Sequence, residues 1–272
     1  MTTAISGKLG DIIAAMASLY ELYKKDGTKF DLFLNSTGDP SIFPTCKLET
    51  MCQLAGQPMA FNRNACEFLM PLLEVQPYIS SVEIVDRNSK LPQIDINLDN
   101  FRAHYMDAEV RKRTGTNLEF LVKDMLGLPL VHTPQWFFNI QPRTIDRKVC
   151  VARSCRYTSA HLWLSCKLPP IKDKLFFVGT ALEHEVFKEA FGLDVPHEKV
   201  TNALELSELI SGSECFISNG TCAYWLGLAL HHPFIIHELG CDIWTTFARD
   251  YHNVQFIIGG KAVGPLGKAV GV

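Results

Sequence analysis

The 272-residue sequence predicts an α/β protein built from two Rossmann-like halves facing across a cleft. Three observations carry that prediction. A short β-permissive entry runs through a glycine turn into a helical pattern and then a second strand, all within the first 35 residues. Such a strand–turn–helix–strand unit is closed economically only by parallel pairing. The same grammar restarts after Pro142. Between the two lies a stretch, Trp136–Thr144, with Pro134 and Pro142 and the character of a linker. The expected organisation is therefore one α/β unit over 1–143 and a second over 144–272.

Taken in order, Met1–Ser6 is the entry strand, followed by Gly7-Lys8-Leu9-Gly10-Asp11. Ile12, Ile13, Met16, Leu19, Tyr20 and Tyr23 then recur at three- and four-residue spacing, the mark of a helix with one apolar face. Lys24, Lys25 and Gly27 form its stop signal. Phe30–Leu34 reads as the second strand, Val82–Val85 and Ile94–Leu98 as further short strands, and Leu118–Leu126 as a helix closed by Gly127 and Pro129. In the second half, Lys148–Ala152, Leu175–Val178, Phe216–Ser218 and Phe234–His237 read as strands. Leu182–Phe191, Leu204–Ile210 and Ala223–Leu230 read as helices.

Composition narrows the function classes. The chain is 47% hydrophobic with a net charge of −3, so it buries ample cores and has no whole-surface field for nucleic acid. Nine cysteines, an odd number with no Cys-x-x-Cys pair, argue against a zinc ribbon or redox motif. There is no basic segment followed by an apolar run at the N-terminus, and no stretch long enough to span a membrane. A reduced, cytoplasmic, soluble protein is expected, and the sequons at Asn35 and Asn219 carry no glycosylation reading.

Ligands of open α/β sheets bind beyond the carboxyl ends of the strands, so the turns there hold the candidate sites. At the first turn, Gly10 permits close approach and Asp11 sits at a helix N-terminus. Asp11 is either a helix cap or a carboxylate at the mouth of a cleft, able to accept a proton. No Gly-Lys-Ser/Thr sequence closes this turn, so it is not a P-loop. Arg153 and Arg156 flank the turn after the first strand of the second half, Val149–Ala152, where guanidinium groups suit a phosphate or a carboxylate as well as solvent. Ser218-Asn219-Gly220-Thr221 offers backbone N–H groups, an amide and hydroxyls at a helix start, as an anion cradle or a cap. Glu238 ends the next strand, placed to accept two hydrogen bonds from a ribose diol or to face water. His231, His232 and His237 differ too much in placement to be read as metal ligands, and Arg111-Lys112-Arg113 reads as a solvated helix face.

Together these segments resemble the heptosyltransferase-like glycosyltransferases. The resemblance rests on Gly10-Asp11-Ile12-Ile13, on Phe176–Thr180 with Glu183 and Phe187, and on Leu204–Ile210. Cys215–Thr221, Ala223–Leu230, Pro233 and Glu238 extend it. It is strongest over residues 148–240. It implies the two-unit GT-B architecture and an enzyme that moves a sugar from a nucleotide-sugar donor to an acceptor hydroxyl, inverting and independent of metal or cofactor. Asp11 would be the general base; Gly10, Arg153, Arg156, Ser218, Asn219, Gly220, Thr221 and Glu238 would hold the donor. The family carries Asp-Ser/Thr-Gly and a histidine around its donor turn, where this chain has Gly220-Thr221-Cys222 and Trp225, so donor identity does not carry over. The acceptor is open among saccharide, small molecule, protein and modified nucleic acid. A non-catalytic nucleotide-binding protein of the same fold, or another nucleotide-dependent α/β enzyme, is the alternative.

Overall fold

The computed structural model describes residues 1–5, 8–36, 63–85, 93–115, 117–154, 161–239, 254–258 and 261–263. The first half contains β1 (Thr2–Ile5), α1 (Leu9–Asp26), β2 (Phe30–Asn35), α2 (Arg63–Glu74), β3 (Ile79–Val85) and β4 (Ile96–Asn97). Three short helices follow: α3 (Asn100–Tyr105), α4 (Ala108–Thr114) and α5 (Leu118–Met125). Its four strands pair in parallel in the order β3-β2-β1-β4.

The second half runs β5 (Val149–Ala152), α6 (His161–Lys167), a 3₁₀ turn (Pro169–Lys174), β6 (Leu175–Val178), α7 (Ala181–Phe191) and β7 (His197–Glu198). It continues with α8 (Ala203–Ser211), β8 (Cys215–Asn219), α9 (Cys222–Ala229), β9 (Ile235–Leu239), β10 (Val254–Ile258) and β11 (Lys261–Val263). Its sheet has the order β11-β10-β9-β8-β5-β6-β7, parallel except at β11.

In both sheets the strand order reverses beside the first strand, between β1 and β4 and between β5 and β8. A doubly wound sheet opens a ligand crevice at such a reversal. Helix α1 follows β1 and helix α9 follows β8, so both helices start at these crevices. The helices also share the core: Ile12, Ile13, Met16 and Leu19 of α1 and Tyr224, Trp225, Leu226 and Leu228 of α9 belong to one buried cluster with both sheets. A second cluster, including Val151, Phe177, Phe187 and Ile217, packs α6 and α7 on the other face of the second sheet.

The segment joining the halves is packed, which the prolines at 134 and 142 did not suggest. Trp136 and Phe137 are fully buried. The Trp136 indole donates to the Ile13 carbonyl of α1 at 2.8 Å, while the Trp136 and Phe137 amides both donate to the Ala229 carbonyl of α9 at 3.0 Å. Tyr78 Oη donates back to the Trp136 carbonyl at 2.8 Å. Just before it, Lys123 and Glu119 form a buried ion pair at 2.6 Å; Glu119 accepts from the Thr133 amide and Lys123 donates to Thr133 Oγ1, each at 2.8 Å. At the far end a Cβ on Gly212 would stand 2.2 Å from the Arg143 carbonyl oxygen, so only glycine lets α8 and the segment touch there.

The elements read from sequence recur with shifts of a residue or two, except β3, which begins three residues before Val82. The strand expected over Ile94–Leu98 is two residues long. The sequence reading has no helix over α2, α3 or α6 and, over α4, only the helix face at Arg111-Lys112-Arg113; it has no strand β7, and no strands β10 and β11, which fold part of the C-terminal region into the second sheet.

Candidate functional site

Every helix has at its start amide groups that its own turns do not satisfy, and a neighbouring side chain ordinarily accepts from them. Four helices here follow that pattern. Asp107 accepts from the Glu109 amide of α4 at 2.8 Å, Asn117 from Phe120 of α5 at 3.3 Å, and Asn202 from Glu205 of α8 at 2.9 Å. Thr180 accepts from Glu183 of α7 at 3.2 Å, and Glu183 returns the bond to the Thr180 amide at 2.9 Å. All four also carry a glutamate in the first turn, which the helix dipole favours.

Helices α1 and α9 break the pattern. Lys8 precedes α1, a cation at the positive end of a dipole, and gives no side-chain cap. Thr221 precedes α9 with φ −120° and ψ 177° and also gives none, and the first turn of α9 has no acidic residue. Among the other helices with a described N-cap, the six-residue α3 is also without a side-chain cap at Asp99. What sets α1 and α9 apart is that their starts meet. A Cβ on Gly10 would lie 3.1 Å from Trp225 Cδ1 and 3.8 Å from the Cys222 Cα, so the glycine permits the contact.

Asp11 stands in this junction, half-buried in the first turn of α1. Its Oδ2 accepts from the Lys8 amide at 3.4 Å, a long bond, and its own amide donates to the Lys8 carbonyl at 2.9 Å. Across the junction the Ser218–Thr221 turn is tight: the Thr221 amide donates to the Asn219 carbonyl at 2.6 Å and Ser218 Oγ to the same oxygen at 3.1 Å. Gly220 and Thr221 are half-buried, whereas Ser218 and Asn219 are buried. Asn219 acts on the protein: its Oδ1 accepts from the Ser154 amide at 3.1 Å and its Nδ2 donates to the Ser154 carbonyl at 2.9 Å. The amide side chain thus spans the strand-order reversal between β5 and β8 and holds the chain leaving β5.

Arg153 and Glu238, read separately from sequence, are partners. Arg153 Nε donates to Glu238 Oε2 at 2.6 Å and Nη2 to Oε1 at 3.1 Å, with side chains only 3% and 1% exposed. The guanidinium also lies 5.1 Å from the Phe191 ring centre. Arg156 lies outside the described residues.

One residue that sequence reasoning set aside belongs to this region. His237, fully buried on β9, stacks on Tyr224 of α9 with ring centres 3.8 Å apart. Burial lowers its pKa to about 3, outweighing a hydrogen bond to the Ser218 backbone, so the ring is neutral beneath the turn. The other two histidines are elsewhere: His231 contacts the Pro134 carbonyl at 3.0 Å and His232 the Ser213 hydroxyl at 3.1 Å. Among the described residues no group of three or more histidine, cysteine or acidic side chains is arranged to hold a metal ion. In the basic run, Arg113 forms a two-pronged bond to Asp124, both contacts at 2.6 Å. No described helix is long and apolar enough to cross a membrane.

Comparison with known proteins agrees with this geometry at the level of fold. No protein-family model and no curated protein matches the chain. Among solved structures it is similar to a glycosyl transferase family 9 protein from Veillonella parvula, with a TM-score of 0.61 and 11% identity over 94% of this chain and 84% of that one. Heptosyltransferase WaaC from E. coli, in complex with ADP-2-deoxy-2-fluoro heptose, aligns with a TM-score of 0.54 and 11% identity over 96% and 94% of the two chains. The iron-containing dodecameric glycosyltransferase TibC of enterotoxigenic E. coli aligns at 0.55 and 12% identity over 94% of this chain and 61% of its own. The two sheets, parallel but for β11, the strand orders and these likenesses make the fold GT-B-like: two Rossmann-like halves meeting where α1 and α9 begin.

Proposed function

We propose that the protein is a glycosyltransferase that moves a sugar from a nucleotide-sugar donor to an acceptor hydroxyl, working in the cytoplasm as two units, 1–143 and 144–272. The observation that carries the reading is the meeting of two helix starts, one from each half, that neither Lys8 nor Thr221 caps with its side chain, with Asp11 in the first turn of α1. Helix N-termini favour anions through their free amides and dipoles. A diphosphate is the anion such a place suits, and a similar fold holds ADP in WaaC.

In this reading the Gly220–Thr221 turn and the start of α9 receive the diphosphate, and Gly10 keeps the two halves close enough to enclose it. Arg156 belongs to the same donor side. Ser218 and Asn219 shape the turn from below, and Glu238, with Arg153, lies where the ribose diol would be held. Asp11 takes the proton of the acceptor hydroxyl. The hydroxyl oxygen forms a bond to the anomeric carbon, the bond from that carbon to the phosphate oxygen breaks, and the nucleoside diphosphate leaves with the electron pair. The helix starts stabilise the charge that develops on it. A single displacement of this kind inverts the anomeric centre.

The bond from the Lys8 amide to Asp11 favours one second reading, a binding protein of the same fold in which Asp11 only caps its helix. Mass spectrometry of the purified protein incubated with a panel of nucleotide sugars separates the two. Release of a nucleoside diphosphate from one donor, lost in Asp11→Asn, supports the transferase. Retention of an intact nucleotide sugar without turnover supports the binding protein, and neither binding nor turnover overturns both.

A further inference from the structure

Two buried tryptophans pack against α1, and their indole N–H groups end differently. Trp136, in the segment joining the halves, donates to the Ile13 carbonyl at 2.8 Å. Trp225, the fourth residue of α9, is only 4% exposed. Its N–H donates to no described residue, and its nitrogen is not sealed from solvent. A buried indole ordinarily finds an acceptor.

Neighbours fix the direction of this donor. Helical side chains lean toward the helix N-terminus, so the ring lies over the first turn of α9. Tyr224 packs beside it, with ring centres 5.8 Å apart. The edge turned to α1 is the pyrrole edge: a Cβ on Gly10 would lie 3.1 Å from Cδ1 and 3.6 Å from Nε1. The N–H therefore opens where the starts of α1 and α9 meet, one residue before Asp11.

In the displacement described above, the anomeric carbon stands between a phosphate oxygen at α9 and an acceptor hydroxyl at Asp11. The transferred sugar fills that space, and the indole edge borders it. An indole nitrogen only donates, so it can stand beside a general base without competing for the proton. We infer that Trp225 is a specificity-determining residue for the transferred sugar, its Nε1–H donating to a sugar oxygen while the helix starts hold the diphosphate. This contact rests on the donor-site reading above and deepens it.

The test is calorimetric titration with ADP, UDP and GDP and with ADP-glucose, UDP-glucose and GDP-mannose. The proteins are wild type and Trp225→Phe, which keeps a ring and removes the N–H, with thermal unfolding to verify the fold. The variant should bind the nucleoside diphosphate as the wild type does, and its sugar conjugate about 3–10-fold more weakly, as for one neutral hydrogen bond. Should Trp225→Phe fail to fold, the indole N–H resonance of wild-type Trp225 carries the test, recognised by its Overhauser contact with Gly10. It should move with the sugar conjugate and stay in place with the diphosphate alone. Undiminished affinity of the variant for the conjugate, an equal loss for diphosphate and conjugate, or a resonance that treats the two ligands alike overturns the inference and leaves the donor site standing. A wild type that binds the diphosphates and no conjugate does the same. A wild type that binds none of these ligands overturns the donor-site reading and the inference together.

Discussion

Helices α7 and α9 both begin at a threonine, and the two threonines behave differently. Thr180 accepts from the Glu183 amide, and Glu183 closes the box by accepting from Thr180. Thr221 makes no side-chain cap, and no acidic residue follows it in the first turn. The first helix start is chemically complete within itself; the second leaves its positive end facing the start of α1, which Lys8 also leaves without a side-chain cap. Four helices are thus capped by their own N-cap side chains, while neither Lys8 nor Thr221 caps the two starts that meet.

If that contrast is functional, the largest consequence falls on Asp11. Asp11→Asn keeps size and still accepts the Lys8 amide bond, so thermal unfolding should barely shift. Single-turnover transfer should fall by about 10²–10⁴-fold, the usual contribution of a positioned general base. Equal transfer rates would return Asp11 to its helix.

The second consequence is acid sensitivity beneath the uncapped start. His237 is neutral when folded, with a pKa of about 3, against about 6.5 unfolded. Below pH 6.5 the unfolded chain binds the extra proton, so stability declines as pH falls. The loss from this group alone between pH 7 and pH 5 is about 2 kcal/mol. His232, whose pKa burial also lowers, adds in the same direction. Chemical denaturation of His237→Phe, which retains a ring against Tyr224, should show a shallower decline over this range; an unchanged slope would place the acid sensitivity elsewhere.

The smallest effect compares the threonines directly. Thr180→Ala should destabilise the protein by about 1 kcal/mol, the ordinary worth of an N-cap, whereas Thr221→Ala should change stability by a few tenths at most. Equal losses in thermal unfolding would erase the distinction between the two starts.

Local signals made much of this legible in the sequence. The three- and four-residue spacing from Ile12 to Tyr23 marked α1, and glycines at its two ends marked the turns. Short apolar runs marked β5, β6, β8 and β9 within a residue or two. Long-range contacts were not legible. Arg153 and Glu238 are 85 residues apart, and nothing local shows that two strand-end charges meet. The Trp136 indole finds its acceptor 123 residues away, so a proline-flanked segment that reads as a linker is a buried seam between the halves. Helix α2 carries Pro71 inside it, a helix-breaking signal that its buried face of Cys66, Leu69, Leu72 and Leu73 overrides. The candidate residues were visible as types at strand ends; whether each faces a ligand or its neighbour is a tertiary property.

In the proposed transferase the amides at the start of α9 hold the diphosphate, and one pair of proline substitutions tests that role. Cys222 is the first residue of α9, and Ala181 the first of α7. Proline is tolerated at that position and removes one N–H, an amide that has no acceptor within its own helix. Thr221 and Thr180 are both extended, as the residue before a proline requires. Both variants should therefore fold, and calorimetric titration with nucleoside diphosphates is the measurement. Cys222→Pro should lose about 1.5–3 kcal/mol of diphosphate affinity, the worth of a hydrogen bond to a charged group, while Ala181→Pro should bind as the wild type does. Undiminished affinity in a folded Cys222→Pro protein would contradict the claim.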